Sequence, residues 1–239
     1  MPPLLAVSNL SKSFGAVKVA DNLSFNVAEG EALGILGPNG AGKTSLFNLL
    51  TGALRADHGT IHFRNNDITH TPAATRTKNG IARSFQIPKP FVGMTVFENC
   101  LVAATQASGL SGAAAQQHAI SVLKDTGLIA KANHYAGQLT LLDRKRLEMA
   151  RALSTRPSLL LLDEIAGGLT EAECQSLIDS IKKIQAAGTT IIWIEHVMHA
   201  LMAVVEKLIV LDFGKKIAEG DPHTTIEQDA VKAVYLGVE

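Results

Sequence analysis

Two kinds of hydrophobic pattern alternate along the chain. Ala32-Leu33-Gly34-Ile35-Leu36, Leu159-Leu160-Leu161-Leu162 and Thr189-Thr190-Ile191-Ile192-Trp193-Ile194 are short, nearly uninterrupted apolar blocks. They are too short for helices and apolar on both faces, so they read as buried strands. Residues 44–54, with Leu46, Phe47, Leu49 and Leu50 for one face, and residues 171–186, closed by Gly188, carry the helical period instead. Residues 144–154 do the same with Leu147, Ala150 and Leu153, until Arg156-Pro157 stops them. Residues 207–211 predict one more strand. Gly214 and Gly220 bracket a short extended piece, and the tail from Ile226 reads as helical.

Other stretches alternate apolar and polar residues. Residues 4–10, 23–27 and 60–63 predict strands, separated by turns at 11–15, 28–31 and 57–59. They suggest a small antiparallel sheet beside the buried strands. Residues 72–79 predict a short polar helix ending at Gly80, and residues 81–86 a strand ending in the amide of Gln86. Ile87-Pro88-Lys89-Pro90-Phe91 cannot continue a regular element, because each proline removes a donor and restricts its predecessor. From Thr95 to residue 128 the pattern is alanine-rich and helical, broken at Ser108-Gly109-Leu110-Ser111-Gly112.

Composition narrows the class. The 239 residues suffice for one large domain, with 46% hydrophobic residues to fill a core. Lys+Arg and Asp+Glu both number 22, so net charge offers no argument for a nucleic-acid partner. Cys100 and Cys174 lack metal-ligand spacing, and a reducing compartment is the natural reading. The start, Met1-Pro2-Pro3-Leu4-Leu5, has no signal-peptide pattern, and no apolar run approaches a membrane span.

Gly37-Pro38-Asn39-Gly40-Ala41-Gly42-Lys43-Thr44 lies between the first buried strand and the helix after it. It fits the phosphate-binding P-loop pattern at every fixed position. In that pattern successive backbone N–H groups and the helix N-terminus form an anion cradle. Glycines leave room for phosphate oxygens, Lys43 reaches the β- and γ-phosphates, and the Thr44 hydroxyl holds Mg²⁺. Ser45 extends the binding set. The implied fold is α/β: a P-loop NTPase core with a mostly parallel sheet, an antiparallel β subdomain and a helical insertion. The expected lobes are residues 4–31 with 59–68 (antiparallel β) and 87–155 (helical), within a single domain.

A phosphate cradle needs carboxylates from a second strand. Leu159-Leu160-Leu161-Leu162-Asp163-Glu164 delivers two. An aspartate there associates with Mg²⁺, and an adjacent acid polarises water for attack on the γ-phosphate. With these residues in place, the chain resembles the ATP-binding subunits of ABC transporters over essentially its whole length. The resemblance implies an ATPase that binds ATP and Mg²⁺. Phe14 stands at the adenine-stacking aromatic, although taken alone it reads as a core phenylalanine. Gln86 matches the glutamine that contacts metal and water, and Asp163 and Glu164 the metal-associated aspartate and the catalytic glutamate. His196 matches the switch histidine. Metal contacts would come from Thr44, Gln86 and Asp163; catalysis from Glu164, His196, Lys43 and Gln86.

One motif departs from the family. Counting back from Ala150-Arg151-Ala152-Leu153, the Leu-Ser-Gly-Gly-Gln signature falls on Leu139-Thr140-Leu141-Leu142-Asp143. Tyr135-Ala136-Gly137-Gln138 lies five residues too early. Thr140 keeps a hydroxyl at the serine position and is a candidate nucleotide contact. Leu141 and Leu142 replace glycines that allow close backbone approach. Ile165 stands where a proline is usual, and Gly168-Leu169-Thr170-Glu171 where a Gly-Leu-Asn/Asp-Pro-type loop is common.

Arg83-Ser84-Phe85-Gln86, Met94-Thr95-Val96-Phe97-Glu98-Asn99, Arg146-Leu147-Glu148-Met149-Ala150-Arg151, Ile194-Glu195-His196 and Tyr235-Leu236-Gly237 resemble the branched-chain amino-acid uptake group. That resemblance implies a second ATP-binding subunit, identical or different, two membrane permease subunits, and indirectly a periplasmic solute-binding protein. It places the chain peripherally on the cytoplasmic face of the cell membrane, without nucleic acid. A low-turnover regulatory nucleotide-binding subunit and a non-transport ABC ATPase remain the alternatives.

Overall fold

A computed structural model describes residues 2–236. In chain order the elements are β1 (Leu5–Phe14), β2 (Val17–Val27), β3 (Ala32–Leu36), α1 (Lys43–Thr51), β4 (His58–Phe63), β5 (Asn66–Asp67), α2 (Ala73–Lys78) and β6 (Ile81–Arg83). They continue with α3 (Val96–Ala107), α4 (Gly112–Asp125), α5 (Leu141–Ser154), β7 (Leu159–Asp163), α6 (Glu171–Ala186), β8 (Thr190–Ile194) and α7 (Met198–Met202). The described chain closes with β9 (Lys207–Asp212), β10 (Lys215–Gly220), α8 (Pro222–Ile226) and α9 (Asp229–Leu236).

The strands form two sheets. The larger runs β10-β9-β3-β8-β7-β6 and is parallel except for the edge strand β10. The smaller runs β2-β1-β4-β5 and is antiparallel. Side chains of the central strands alternate between two cores. Leu36, Leu160, Leu162, Ile191, Trp193 and Val210 pack with α5 and α6 residues such as Met149 and Ile178. Leu33, Ile35, Leu161, Ile192, Ile194 and Ile209 pack with Leu46, Phe47 and Leu50 of α1 and with the antiparallel sheet. Burial on both faces explains the uninterrupted apolar blocks. Each fully buried Leu or Ile contributes about 1.5–3 kcal/mol.

Register sets the level of the site. Ile35 of β3 pairs with Ile194 of β8, and Ile194 pairs with Asp163 of β7. The three strands therefore end side by side, and the loop from Gly37, Glu164 and His196 all leave the sheet along one edge.

Several boundaries differ from the sequence expectation. Residues 11–14 continue β1 rather than turning, because Ser11 pairs with His58 of β4 and Lys12, Ser13 and Phe14 pair with β2 through a shifted register. β6 stops at Arg83, so Gln86 lies three residues beyond the strand. α5 starts at Leu141, not at residue 144, because Thr140 caps it. α3 starts where expected, with Thr95 and Glu98 closing a reciprocal capping box. Of the stretches that resemble the uptake group, Tyr235-Leu236-Gly237 extends beyond the described residues.

α1 is fixed at its far end by Arg76, a buried guanidinium. It donates to the carbonyls of Leu49 (2.8 Å), Leu50 (2.9 Å), Thr69 (2.9 Å) and Thr71 (2.9 Å). A cation on the last carbonyls of a helix opposes its negative end. Cys100 and Cys174 are buried and free, and burial pushes the Cys100 thiol up to about 12.

Candidate functional site

The loop between β3 and α1 is held by its own backbone. A Cβ on Gly37 would lie 2.3 Å from the Leu211 carbonyl oxygen, and one on Gly42 would lie 2.2 Å from the Val19 carbonyl oxygen. Both residues have positive φ, 154° and 101°. These two glycines are thus required by packing against β9 and β2, a reason that the phosphate pattern alone does not give. Gly42 also ends the loop as a helix cap without a side chain, and the first turn of α1 holds no acidic residue. The N–H groups of that turn are left to an external anion. The Lys43 ammonium folds back over the loop and donates to the carbonyls of Gly37 (2.8 Å) and Pro38 (3.0 Å). Burial pulls its pKa below the usual range, and the Glu164 and Asp163 carboxylates act in the opposite sense.

Beyond β7, Glu164 occupies the left-handed backbone region with φ 47°, a conformation that non-glycine residues rarely hold. Its N–H donates to the Ile194 carbonyl at 2.8 Å, so β8 fixes the loop after β7. Both oxygens of its carboxylate are engaged. Gln86 Nε2 donates to Oε2, and His196 Nε2 stands 2.5 Å from Oε1. Three residues predicted from distant parts of the chain therefore meet at one carboxylate.

Asp163 is differently employed. Its Oδ2 lies 2.5 Å from Arg83 Nη2, and Arg83 Nη1 donates to Asn48 Oδ1 at 2.6 Å. The guanidinium also lies over the rings of Phe47 (5.4 Å) and Phe85 (5.1 Å). Thr44, Gln86 and Asp163 nevertheless line one cavity of about 420 Å³. Phe14 is exposed at the end of β1, with Lys12 Nζ 5.5 Å from its ring centre. It is not the core phenylalanine that its position alone allowed.

Thr140 stands at the start of α5. Its hydroxyl caps α5, accepting from the Asp143 N–H (3.3 Å) and donating to Asp143 Oδ2 (2.9 Å). Asp143 is itself buried and paired with Lys131 and Arg146. The helix start is further covered by Leu141, which remains 48% exposed.

Three residues of the site had no assigned role in the sequence reading. Glu195 is 1% exposed; its carboxylate accepts from the N–H groups of Ala166 (2.8 Å), His196 (2.9 Å) and Val197 (3.3 Å). It thereby ties the loop after β7 to the loop after β8. An acid closing an all-apolar strand is the signal that marks it. Lys145, 5% exposed, donates to the Glu164 carbonyl at 3.4 Å. Its signal is a cation on the apolar stripe Leu142-Lys145-Met149-Ala152. Arg83 shows no local signal, because Asp163 and Asn48 are distant in sequence.

This is the arrangement of a nucleotide-hydrolysing cassette, and the chain belongs to the ABC transporter family, whose model matches residues 20–167. It is an ATPase of that family. It is 36% identical over 250 residues to the high-affinity branched-chain amino acid transport ATP-binding protein LivG of Salmonella typhimurium, covering 98% of each chain. It is 32% identical over 237 residues to the lipopolysaccharide export system ATP-binding protein LptB of Acidithiobacillus ferridurans, covering 99% of this chain and 98% of that protein. A solved ADP conformation of an ATP-binding cassette of an ABC transporter matches it with TM-score 0.91 and 30% identity over 100% of both chains.

Proposed function

We propose that this chain drives an importer for branched-chain amino acids or a related small solute, with Glu164 as the base that activates water. The reading is carried by the meeting of Gln86 and His196 at Glu164, beside the loop that holds Lys43. Whole-length similarity to LivG supports the solute class. Two ATP-binding subunits would close face to face, each binding ATP through Phe14 and the loop from Gly37 to Ser45. The N–H groups of that loop and Lys43 stabilise charge on the transferring phosphoryl group. Gln86 and His196 orient the Glu164 carboxylate, one on each oxygen, and leave it acceptor capacity for a water.

The donors also suit Mg²⁺. The Thr44 hydroxyl, the Gln86 amide oxygen and the Asp163 carboxylate are hard oxygen ligands lining one cavity. They would hold the ion, directly or through water. When bound it neutralises charge on the terminal phosphates.

The membrane partners would meet the stretch after Gln86. Ile87, Phe91, Val92 and Met94 are exposed there, an apolar group of the kind that marks an interaction surface. Arg151 of α5 anchors it, donating to the Lys89 carbonyl at 2.9 Å and lying 5.0 Å from the Phe91 ring centre. Nucleotide-driven movement of α5 would reach the membrane subunits by this route, from a peripheral position. Among the described residues no helix is long and apolar enough to cross a membrane itself.

Leu141, Leu142 and Asp143 favour a second reading, a regulatory subunit of low turnover. One variant separates the two. E164Q should bind ATP normally, lose turnover by roughly 10²–10⁴-fold and accumulate as an ATP-bound dimer in size-exclusion chromatography. In reconstituted vesicles it should stop uptake of labelled leucine. Unimpaired turnover in this variant would reject Glu164 as the base; little turnover in the parent chain would favour the regulatory reading. No leucine uptake by the parent transporter would remove the solute class.

A further inference from the structure

Two features of α5 point toward the loop after β7. Leu141, its first residue, lies beside that loop: a Cβ placed on Gly168 would stand 3.5 Å from Leu141 Cδ2. Four residues on, along the same helix face, Lys145 reaches the Glu164 carbonyl. Leu141, Lys145, Glu164, Glu195 and His196 border a common cavity of about 330 Å³.

The two peptide groups that flank Glu164 have different anchors. The one before it is held by β8, through the bond from Glu164 N–H to the Ile194 carbonyl. The one after it, carrying the Glu164 carbonyl, is held by α5 through Lys145. A residue with φ 47° depends on such anchors, since its backbone would relax to a commoner conformation without them. Burying an ammonium also requires a reason. Burial lowers the Lys145 pKa, and the nearby Glu195 and Glu164 carboxylates act in the opposite sense. The Glu195 carboxylate accepts three N–H groups, and the hydrogen bond of the Lys145 ammonium goes to the Glu164 carbonyl.

We propose that Lys145 is a positioning residue. It ties the first turns of α5 to the backbone of Glu164, so that a displacement of the helix start is passed to the carboxylate that activates water. The helix whose N-terminus carries Thr140 thereby reports its position to the hydrolytic centre of its own chain. This rests on Glu164 acting as the base, and the test separates the two ideas.

The experiment compares K145M, K145R, E164Q and the double variant K145M/E164Q in the full chain. Each is assayed for kcat, for ATP affinity by calorimetry and for melting temperature. K145M should lower kcat on the order of tenfold while ATP affinity stays within about twofold. K145R, which keeps charge and donors, should restore most of the rate. In the double variant the losses should not add, because Lys145 acts only through Glu164. An unchanged kcat in K145M, an additive double variant, or parallel loss of ATP affinity would overturn the proposal. If K145M does not fold, K145Q carries the same comparison. The base assignment fails separately, if E164Q alone keeps full turnover.

Discussion

Two helices of this protein begin in opposite ways. α1 starts at Gly42, with no side-chain cap and no acid in its first turn. α5 starts at Thr140, whose hydroxyl closes on Asp143, with a carboxylate inside the first turn and Leu141 over the end. An uncapped N-terminus with its partial positive charge invites an anion. A self-capped one has engaged one of its N–H groups with its own cap, and a first-turn carboxylate offsets its field. The family pattern assigns phosphate contacts to both places. Here the first is left open, and at the second the Thr140 hydroxyl serves as the cap of its own helix.

The contrast can be broken at either end. The largest effect is expected from K43M, which removes the ammonium from the open cradle. ATP affinity should fall by about a hundredfold in calorimetry, as for loss of a charged hydrogen bond of about 3 kcal/mol. Retained affinity would mean that the phosphates bind elsewhere. Opening the closed end should have a smaller effect of opposite sign. L141G/L142G/D143Q should raise turnover of the assembled transporter by several-fold, on the order of one recovered phosphate contact, and leave the isolated chain's ATP affinity unchanged. An unchanged rate would show that the start of α5 does not limit hydrolysis. The smallest effect belongs to T140A. Losing the cap should cost about 1 kcal/mol and lower the melting temperature by roughly 2–4 °C, with no change in ATP affinity. A fall in ATP affinity would restore Thr140 as a direct contact.

The sequence is most legible where local chemistry dictates structure. Both-face burial makes Ala32–Leu36 and Leu159–Asp163 recognisable as central strands, and the capping residues Thr95 and Thr170 announce helices. The convergence of Gln86, Glu164 and His196 follows from the strand ends that deliver them, once the sheet is taken as parallel. What stays hidden is set by partners far apart in the chain. Ser11-Lys12-Ser13 looks like a turn until β4 and β2 pair with it. The reason for Gly37 and Gly42 lies in the Leu211 and Val19 carbonyls. Arg83 reads as an ordinary strand-end cation, and nothing nearby reveals that it neutralises Asp163. Thr140 looks available to a ligand until its hydroxyl is seen turned onto Asp143.

The pairing of Ile35 with Ile194, and of Ile194 with Asp163, has a bearing on how this protein can change. Successive residues of a strand point to opposite faces. One residue inserted into β7 or deleted from β8 would send Glu164 or His196 to the wrong side of the sheet, with every side chain of the catalytic centre still encoded. The spacing between Leu159 and Glu164 therefore fixes where the carboxylate stands relative to Gln86 and His196. Engineering of this protein can exchange one buried apolar residue of those strands for another of similar volume, but not alter their length.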